Sequence, residues 1–221
     1  MQNVFSICTR FPGKREKPMN KQNSTIMKLA ETALLAALCY VSFTFLQIKI
    51  PVPGGDATSL HIGNTFCVLG ALLLGGWYGG LAGSIGMTIA DLMDPVYITG
   101  APKTFVLKLC IGLITGLVAH KIAKINETND KKYVFKWSLI ASIAGLAFNV
   151  IADRIVGYFY KQYILGQPQE VASILAKLSA GATFVNAIVS TILVVIIYNA
   201  VRPALIKANL IHVYVTAANA K

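Results

Sequence analysis

The hydrophobic residues of this chain are collected into long blocks that short polar stretches separate. A helix needs about 20 mainly apolar residues to cross a bilayer, and several blocks reach that length. The blocks predict six helical spans, at residues 27–49, 61–76, 77–93, 103–123, 134–160 and 171–205. The pattern therefore predicts an all-α membrane protein, a six-helix transmembrane bundle.

The polar stretches divide the chain into three parts. We expect residues 1–26 to form a disordered basic tail, residues 27–205 a single transmembrane domain, and residues 206–221 a cytoplasmic tail. The second and third spans are short, and the glycine-rich residues 75–80 leave little room for a loop between them. A loop rich in proline and glycine, residues 51–55, follows the first span and is expected to act as a flexible lid.

Charge is scarce in this sequence. Only 13% of the residues are charged, against about 25% in soluble domains, which argues against a freely soluble enzyme. A net charge of +11 would suit a nucleic-acid binder, but such proteins concentrate basic groups on one face of a folded domain. Here the basic residues lie in loops and tails, so nucleic acid is not an expected partner.

The positions of the basic residues predict the orientation. Six of the 20 Lys and Arg residues lie within the first 28 positions, five lie between Lys121 and Lys136, and residues 50–60 contain none. Basic loops stay on the cytoplasmic side of a membrane. Six spans with both termini in the cytoplasm satisfy this bias at every loop, and the expected location is the cell membrane.

Polar side chains gather at one depth of the predicted bundle, near the outward-facing ends of the spans. Ionisable residues inside spans are costly and mark functional sites by default. Five of the six spans contribute, which predicts a pocket between helices that opens to the outer face. The candidate substrate-binding residues are His61, Asn64, Thr65, Asp91, Asp94, Tyr97, Lys103, Thr104, Lys108, Asn149, Asp153 and Asn186.

Several of these residues also have a purely structural explanation. His61 would cap the second span at the interface, and Asp94, which precedes a proline, would form a turn. Lys103 would extend its amine toward the lipid headgroups. Both kinds of explanation are open at this point.

The buried charges need partners. Lys108 lies opposite Asp91 or Asp153, and either carboxylate would give a buried ion pair. Asp153 and Arg154 are neighbours in the sequence and point about 100° apart on a helix. These two side chains must therefore find different partners.

No motif of enzyme chemistry occurs. The sequence contains no HExxH, GxSxG or GxxxxGK[ST] pattern, so metalloprotease, serine hydrolase and phosphate-loop ATPase chemistry have no support. None of the four cysteines forms a CxxC pair or has a histidine at metal-ligand spacing. We expect neither an enzyme nor a bound metal or cofactor.

Small residues recur at helical spacing in three spans. Gly79, Gly83 and Gly86 lie in the third span, and Gly112 and Gly116 lie in the fourth. Side chains this small let helix backbones approach closely within a membrane, which predicts internal packing. Ala33 and Ala37 in the first span either pack internally in the same way or present a flat seat to a partner protein.

The first four spans carry a combination of short motifs. In order these are Ile-Pro-Val-Pro-Gly-Gly at 50–55, His-Ile-Gly-Asn at 61–64, Gly-Ala-Leu-Leu-Leu-Gly-Gly at 70–76, the glycine-rich stretch 79–92, and Ala-Pro-Lys-Thr-Phe at 101–105 followed by Lys108. Together they resemble the substrate-binding S components of energy-coupling factor (ECF) transporters. The resemblance covers residues 27–123, and the last two spans agree in topology. It is nearest to the branch for riboflavin, pyridoxine and hydroxymethylpyrimidine.

The resemblance implies a function and a set of partners. It implies a vitamin site that faces outward, a membrane partner (the T component) and two cytoplasmic ATPases that supply the energy. The first-span contact of the family with the T component corresponds to Ala33 and Ala37. A stand-alone secondary carrier or a small channel is the alternative, but such carriers are commonly built from inverted repeats, and no repeat relates residues 27–93 to 103–205.

Overall fold

The described part of this computed structural model, residues 21–52 and 57–208, is a helical bundle with one short hairpin. The α-helices are α1 Lys21–Phe45, α2 Gly63–Leu74, α3 Gly76–Met93, α4 Ala101–Gly116, α5 Lys131–Phe159 and α6 Gln169–Lys207. Wider π-helical turns extend α4 through Leu117–Ile122 and α5 through Tyr160–Ile164. The predicted helical class is confirmed.

Four helical segments are long and apolar enough to cross a membrane, namely Thr25–Phe45, Ile98–Glu127, Lys131–Ile164 and Gln169–Lys207. Helix α2 is apolar but has only 12 residues, or about 18 Å of length, less than the roughly 30 Å of a hydrocarbon core. The molecule is thus a membrane protein with several spanning helices. Six complete spans and two cytoplasmic termini stay a prediction.

An antiparallel hairpin follows α1, where the sequence predicted helix and loop. Strand β1 (Gln47–Pro51) pairs with β2 (Ala57–His61), and Gln47 lies opposite His61. The first predicted span, which reached residue 49, therefore ends as a helix at Phe45. His61 belongs to a strand rather than to the start of the second span.

The boundary between the second and third helices, predicted between residues 76 and 77, lies at Gly75 in the structure. Its φ of 98° is a left-handed conformation that glycine adopts without steric cost. The single residue between α2 and α3 therefore turns the chain without a loop. This explains why two short helices can follow each other so closely.

The two helix pairs α3–α4 and α5–α6 pack extensively, and α1 and α2 both pack on α3. A side chain at Gly112 would overlap the backbone of Gly80, and one at Gly116 would overlap the backbone of Gly76. Helices α3 and α4 are therefore in backbone contact. The predicted packing role of Gly112 and Gly116 is what the structure shows.

The helical region extends slightly beyond the predicted residues 27–205, because α1 begins at Lys21 and α6 ends at Lys207. Residues 1–20 and 209–221, which hold most of the two predicted tails, lie outside the described residues. The same is true of residues 53–56 in the predicted lid loop.

Candidate functional site

A cavity of about 140 Å³ opens at the end of the bundle where the hairpin meets α3, α4, α5 and α6. The hairpin and Phe43 of α1 contribute one side, and the α3–α4 loop contributes another. The helices supply the polar groups that line its depth. Its lining is Phe43, Val52, Ala57, Thr58, Ser59, His61, Asp91, Val96, Tyr97, Thr99, Gly100, Lys103, Thr104, Lys108, Asp153, Gly157, Tyr160, Lys161, Leu165, Leu175, Ser179, Thr183 and Asn186.

Eight of the twelve predicted site residues line this cavity. They come from β2, α3, the α3–α4 loop, α4, α5 and α6, so residues far apart in the sequence converge on one space. The eight are His61, Asp91, Tyr97, Lys103, Thr104, Lys108, Asp153 and Asn186.

The other four predicted residues do not line the cavity. Asn64, Thr65 and Asn149 are buried in the helix packing, and within the described residues their side-chain oxygens have no hydrogen-bond partner. Asn149 precedes Asp153 by one helical turn, or about 6 Å along α5. Asp94 ends α3, where its carboxylate accepts a hydrogen bond from the Val96 amide at 3.1 Å, the turn that was the alternative explanation.

Asp153 is the centre of a polar network that joins three helices. Lys103 of α4 donates to its Oδ1 at 2.8 Å, and the hydroxyls of Ser179 and Thr183 on α6 donate to its Oδ2 at 2.7 and 3.1 Å. Both members of the ion pair are largely buried, with 16% and 8% of their side chains exposed. Asp153 therefore orders the lining from both sides.

The predicted ion pair between Lys108 and Asp91 or Asp153 is wrong, because another lysine pairs with Asp153. Among the described residues the partner of Asp153 is Lys103, and no ion pair of Lys108 occurs. Lys108 follows Lys103 by five positions, which on a helix places it about 7.5 Å deeper and turned by about 140°. Lys108 instead lines the cavity, together with the buried Asp91.

The hairpin is fixed to α6 by one amide side chain. Asn186 Oδ1 accepts from the backbone N–H of His61 at 3.0 Å, and its Nδ2 donates to the carbonyl of Ser59 at 2.9 Å. The Nδ1 of His61 accepts from the Gly63 amide at 3.2 Å, as the capping alternative expected. Burial lowers the pKa of His61 to about 3, and the positive charge of Lys108 adds to this, so His61 is neutral at physiological pH.

The hairpin is also fixed to the end of α3 by an ion pair at the surface. Lys49 of β1 binds the carboxylate of Asp94. This hydrogen bond lowers the pKa of Asp94 and raises the pKa of Lys49. The Lys49 amine also lies 5.4 Å from the ring centre of Tyr97, within the range of a cation–π contact.

An aromatic group borders the cavity next to these contacts. The rings of Phe43 and His61 lie 4.6 Å apart, and those of Phe43 and Tyr97 lie 5.9 Å apart, both edge to face. Tyr160 also lines the cavity, and its hydroxyl donates to the Thr99 carbonyl at 2.7 Å. Flat apolar faces beside hydrogen-bonding groups suit a heterocyclic ligand.

The sequence reasoning missed the contribution of the hairpin. Ala57, Thr58 and Ser59 line the cavity although they were assigned to a loop. A signal was present, because Gln47-Ile48-Lys49-Ile50 alternates polar and apolar residues, and alternation with period two is typical of a strand.

Comparison with known proteins assigns the chain to a family. The model of the family described as ECF-type riboflavin transporter, S component, matches residues 23–203. The chain belongs to this family. Its S components are transporter subunits, and membership agrees with the apolar helices and with the absence of enzyme motifs.

A solved structure supports the fold at low sequence identity. The structure of ThiT from Listeria monocytogenes superimposes with a TM-score of 0.55 at 20% identity, and the match covers 78% of this chain and 95% of that one. No curated protein sequence matches this member of the family.

Proposed function

We propose that this chain is the substrate-binding subunit of an ECF-type importer in the cell membrane. It captures a water-soluble vitamin or vitamin precursor, such as riboflavin, pyridoxine or hydroxymethylpyrimidine, from the outer face. The observation that supports the proposal most is the convergence of eight predicted polar residues on one cavity in a chain of this family.

The charge of the cavity narrows the ligand class. Its lining carries three lysines, at 103, 108 and 161, and two carboxylates, Asp91 and Asp153. One of the carboxylates is already paired with Lys103. A cationic ligand would add charge to a site with a formal excess of one positive charge, which is costly at low dielectric. The lining therefore favours a neutral or weakly anionic heterocycle.

Calorimetry on the purified subunit, without ATP or partner proteins, tests this proposal. Riboflavin, pyridoxine and hydroxymethylpyrimidine are titrated in turn, with thiamine as a cationic control. We expect tight binding of one neutral compound and no binding of the cation. Failure of all four compounds contradicts the proposed vitamin binding, and binding of thiamine alone contradicts the preference for a neutral ligand.

Two serine variants connect binding to the cavity. Ser179→Ala removes a hydroxyl that lines the cavity and bonds Asp153. Ser142→Ala removes a buried hydroxyl that donates only to its own helix, to the Ser138 carbonyl at 2.7 Å. Loss of a hydrogen bond to the ligand costs about 1–3 kcal/mol, so Ser179→Ala should weaken affinity roughly 5- to 150-fold. Ser142→Ala should bind as the wild type does, and equal effects would place the ligand elsewhere.

The proposed partners are a transmembrane T component and two cytoplasmic ATPases, with which S components work. The structure gives α1 two different faces. Thr32, Leu35 and Cys39 are buried, whereas Ala33 and Ala37 are exposed. Within the described residues the alanine pair does not pack internally, which supports the alternative of a flat seat for a partner helix.

A tryptophan at Ala37 tests this seat. Its bulk prevents close approach of another helix but meets no helix of this chain, so we expect normal vitamin binding, no co-purification with the T component and no uptake. The control is Ala200→Trp, at an exposed alanine of α6, which should leave uptake intact. Wild-type uptake by Ala37→Trp would contradict the seat.

A transport assay on the isolated chain distinguishes an S component from the alternative, a stand-alone secondary carrier or small channel. A secondary carrier moves its solute without ATPases, whereas an S component alone only binds it. Proteoliposomes containing only this chain should therefore show vitamin binding and no accumulation under a proton or sodium gradient.

A further inference from the structure

The contact line between α5 and α6, which we call the α5–α6 seam, contains two cavities outside the candidate site. The first has a volume of about 400 Å³ and lies in the middle of both helices. Its lining is apolar except for Thr191 and includes Ile143, Ala147, Phe184 and Ile188. Both helices are long and apolar enough to span a membrane, so this groove lies at the depth of lipid chains.

The second cavity lies nearer the end of the bundle that holds the substrate cavity. It measures about 250 Å³, and its lining includes Arg154, Tyr158, Ser173 and Lys177. Arg154 and Lys177 are both exposed. Two cations therefore lie together on the outer surface of two spanning helices, about two turns from the helix ends.

The two cavities lie along the same pair of helix faces. On α5, residues 143, 147, 151, 154 and 158 follow the spacing of three and four that keeps side chains on one face. On α6, residues 173, 177, 181, 184 and 188 do the same. Gly181 lies between the cavities, and a Cβ there would meet nothing within 4 Å, so no side chain of α6 separates them at that point.

Arg154 and Lys177 form no ion pair with an acidic residue in the part of the chain that the structure describes. Among residues 25–52 and 57–208, the ion pairs are Lys49–Asp94, Lys103–Asp153 and Lys124–Glu127. Asp153, the neighbour of Arg154, points inward to Lys103. An uncompensated cation on a lipid-facing surface is costly, and basic pockets between membrane helices bind anionic headgroups.

We propose that the α5–α6 seam binds one anionic phospholipid. Arg154 and Lys177 hold the headgroup phosphate, and one acyl chain lies in the apolar groove between Ala147 and Ile188. The site is independent of the vitamin that the substrate cavity takes, because none of these residues lines that cavity.

Native mass spectrometry of delipidated protein in dodecyl maltoside tests the site. The protein is titrated with dioleoyl phosphatidylglycerol or with dioleoyl phosphatidylcholine, which have the same chains but different headgroup charge. A cation near a membrane surface contributes about fivefold to the affinity for an anionic lipid. The two cations together should therefore favour phosphatidylglycerol about thirtyfold, with one lipid per chain.

Two sets of variants distinguish binding of the lipid headgroup from binding of the acyl chain. The Arg154→Gln, Lys177→Gln double variant should lose the preference, whereas Lys132→Gln, Lys136→Gln, which removes the same charge at the other end of α5, should keep it. Ala147→Phe fills the groove from an exposed position and should weaken both lipids. If Ala147→Phe unfolds the protein, Ile188→Trp fills the same groove from α6 and replaces it in the test.

Several outcomes would overturn the proposal. These are equal retention of the two lipids, the same loss in both double variants, or full binding of phosphatidylglycerol by Ala147→Phe and Ile188→Trp. Two further outcomes also count against it. In the first, inorganic phosphate alone occupies Arg154 and Lys177, so the site binds a free anion rather than a lipid. In the second, the T component covers the seam, so the seam is a protein interface rather than a lipid site.

Discussion

The α3–α4 contact and the α5–α6 seam solve the same packing problem in opposite ways. Glycines at 76, 80, 112 and 116 bring the backbones of α3 and α4 into contact, so no space is left between these helices. Gly145, Gly157 and Gly181, the glycines of α5 and α6, bring no backbone of one helix against the other, and three cavities border this helix pair at different depths.

This difference assigns different tasks to the two helix pairs. A contact made of backbone atoms is rigid, because a backbone cannot adjust as a side chain can, and it holds the loop at one edge of the substrate cavity in place. The α5–α6 seam is joined at its polar end by the network of Asp153 instead. A seam joined by side chains leaves room for ligands, and its stability depends on those side chains.

The largest expected effect comes from adding a side-chain atom to a glycine at the α3–α4 contact. Gly112→Ala places a methyl group on the backbone of Gly80, and overpacking typically costs about 1–3 kcal/mol. We expect a loss at the upper end of this range, measured as unfolding in detergent. The matched control is Gly181→Ala on α6, where the methyl meets nothing and should gain about 0.5–1 kcal/mol of helix stability. Equal behaviour of the two variants would contradict the comparison.

The second prediction concerns the negative charge of Asp153, whose carboxylate joins α5 to α6. Asp153→Asn leaves the amine of Lys103 without its buried partner, and breaking such a pair costs about 3–5 kcal/mol. Because Asn keeps an acceptor for the α6 hydroxyls, we expect about 3 kcal/mol at most, together with weaker vitamin binding.

The control for this variant lies at the other end of α5. Asp130 is the exposed N-cap that accepts from the Lys132 amide at 2.9 Å. Asn caps a helix as well as Asp does, so Asp130→Asn should change stability by less than about 0.5 kcal/mol. A large loss in Asp130→Asn and none in Asp153→Asn would refute the central role of the Asp153 network.

The smallest effect concerns the exposed ion pair that ties the hairpin to the end of α3. Asp94→Asn removes the charge but keeps the acceptor for the Val96 amide. Exposed pairs contribute roughly 0–1 kcal/mol, so global stability should hardly change. We expect a faster dissociation of the vitamin instead, because the hairpin borders the cavity.

The pH dependence of the vitamin dissociation rate tests whether the Lys49–Asp94 pair causes this effect. The pKa of Asp94 is lowered, chiefly by the hydrogen bond from Lys49, so its stabilising contribution is present above the ordinary pKa and lost as pH falls through the lowered one. The pKa of Lys49 is raised, so its contribution is lost only as pH rises through that higher value. The difference between wild type and Asp94→Asn should be constant from about pH 5 to 9 and vanish in acid. A difference that changes at neutral pH would assign the effect to another group.

Local pattern was enough to predict the membrane character, the positions of most helices and eight polar residues that line one cavity. These features depend on composition and on spacing along a single helix, which the sequence displays directly. The packing glycines of α3 and α4 belong to the same class, since only small residues permit close backbone approach. The family motifs likewise lie in short continuous stretches.

Only the tertiary structure decided how these elements use their side chains. It paired Asp153 with Lys103 rather than Lys108, turned Ala33 and Ala37 outward, and built a hairpin that Asn186 holds from a position 125 residues away in the sequence. Each of these outcomes depends on the rotation of one helix relative to another or on contacts between distant residues. A difference of about 140° between two lysines on one helix leaves no trace in hydropathy, because both residues are equally polar.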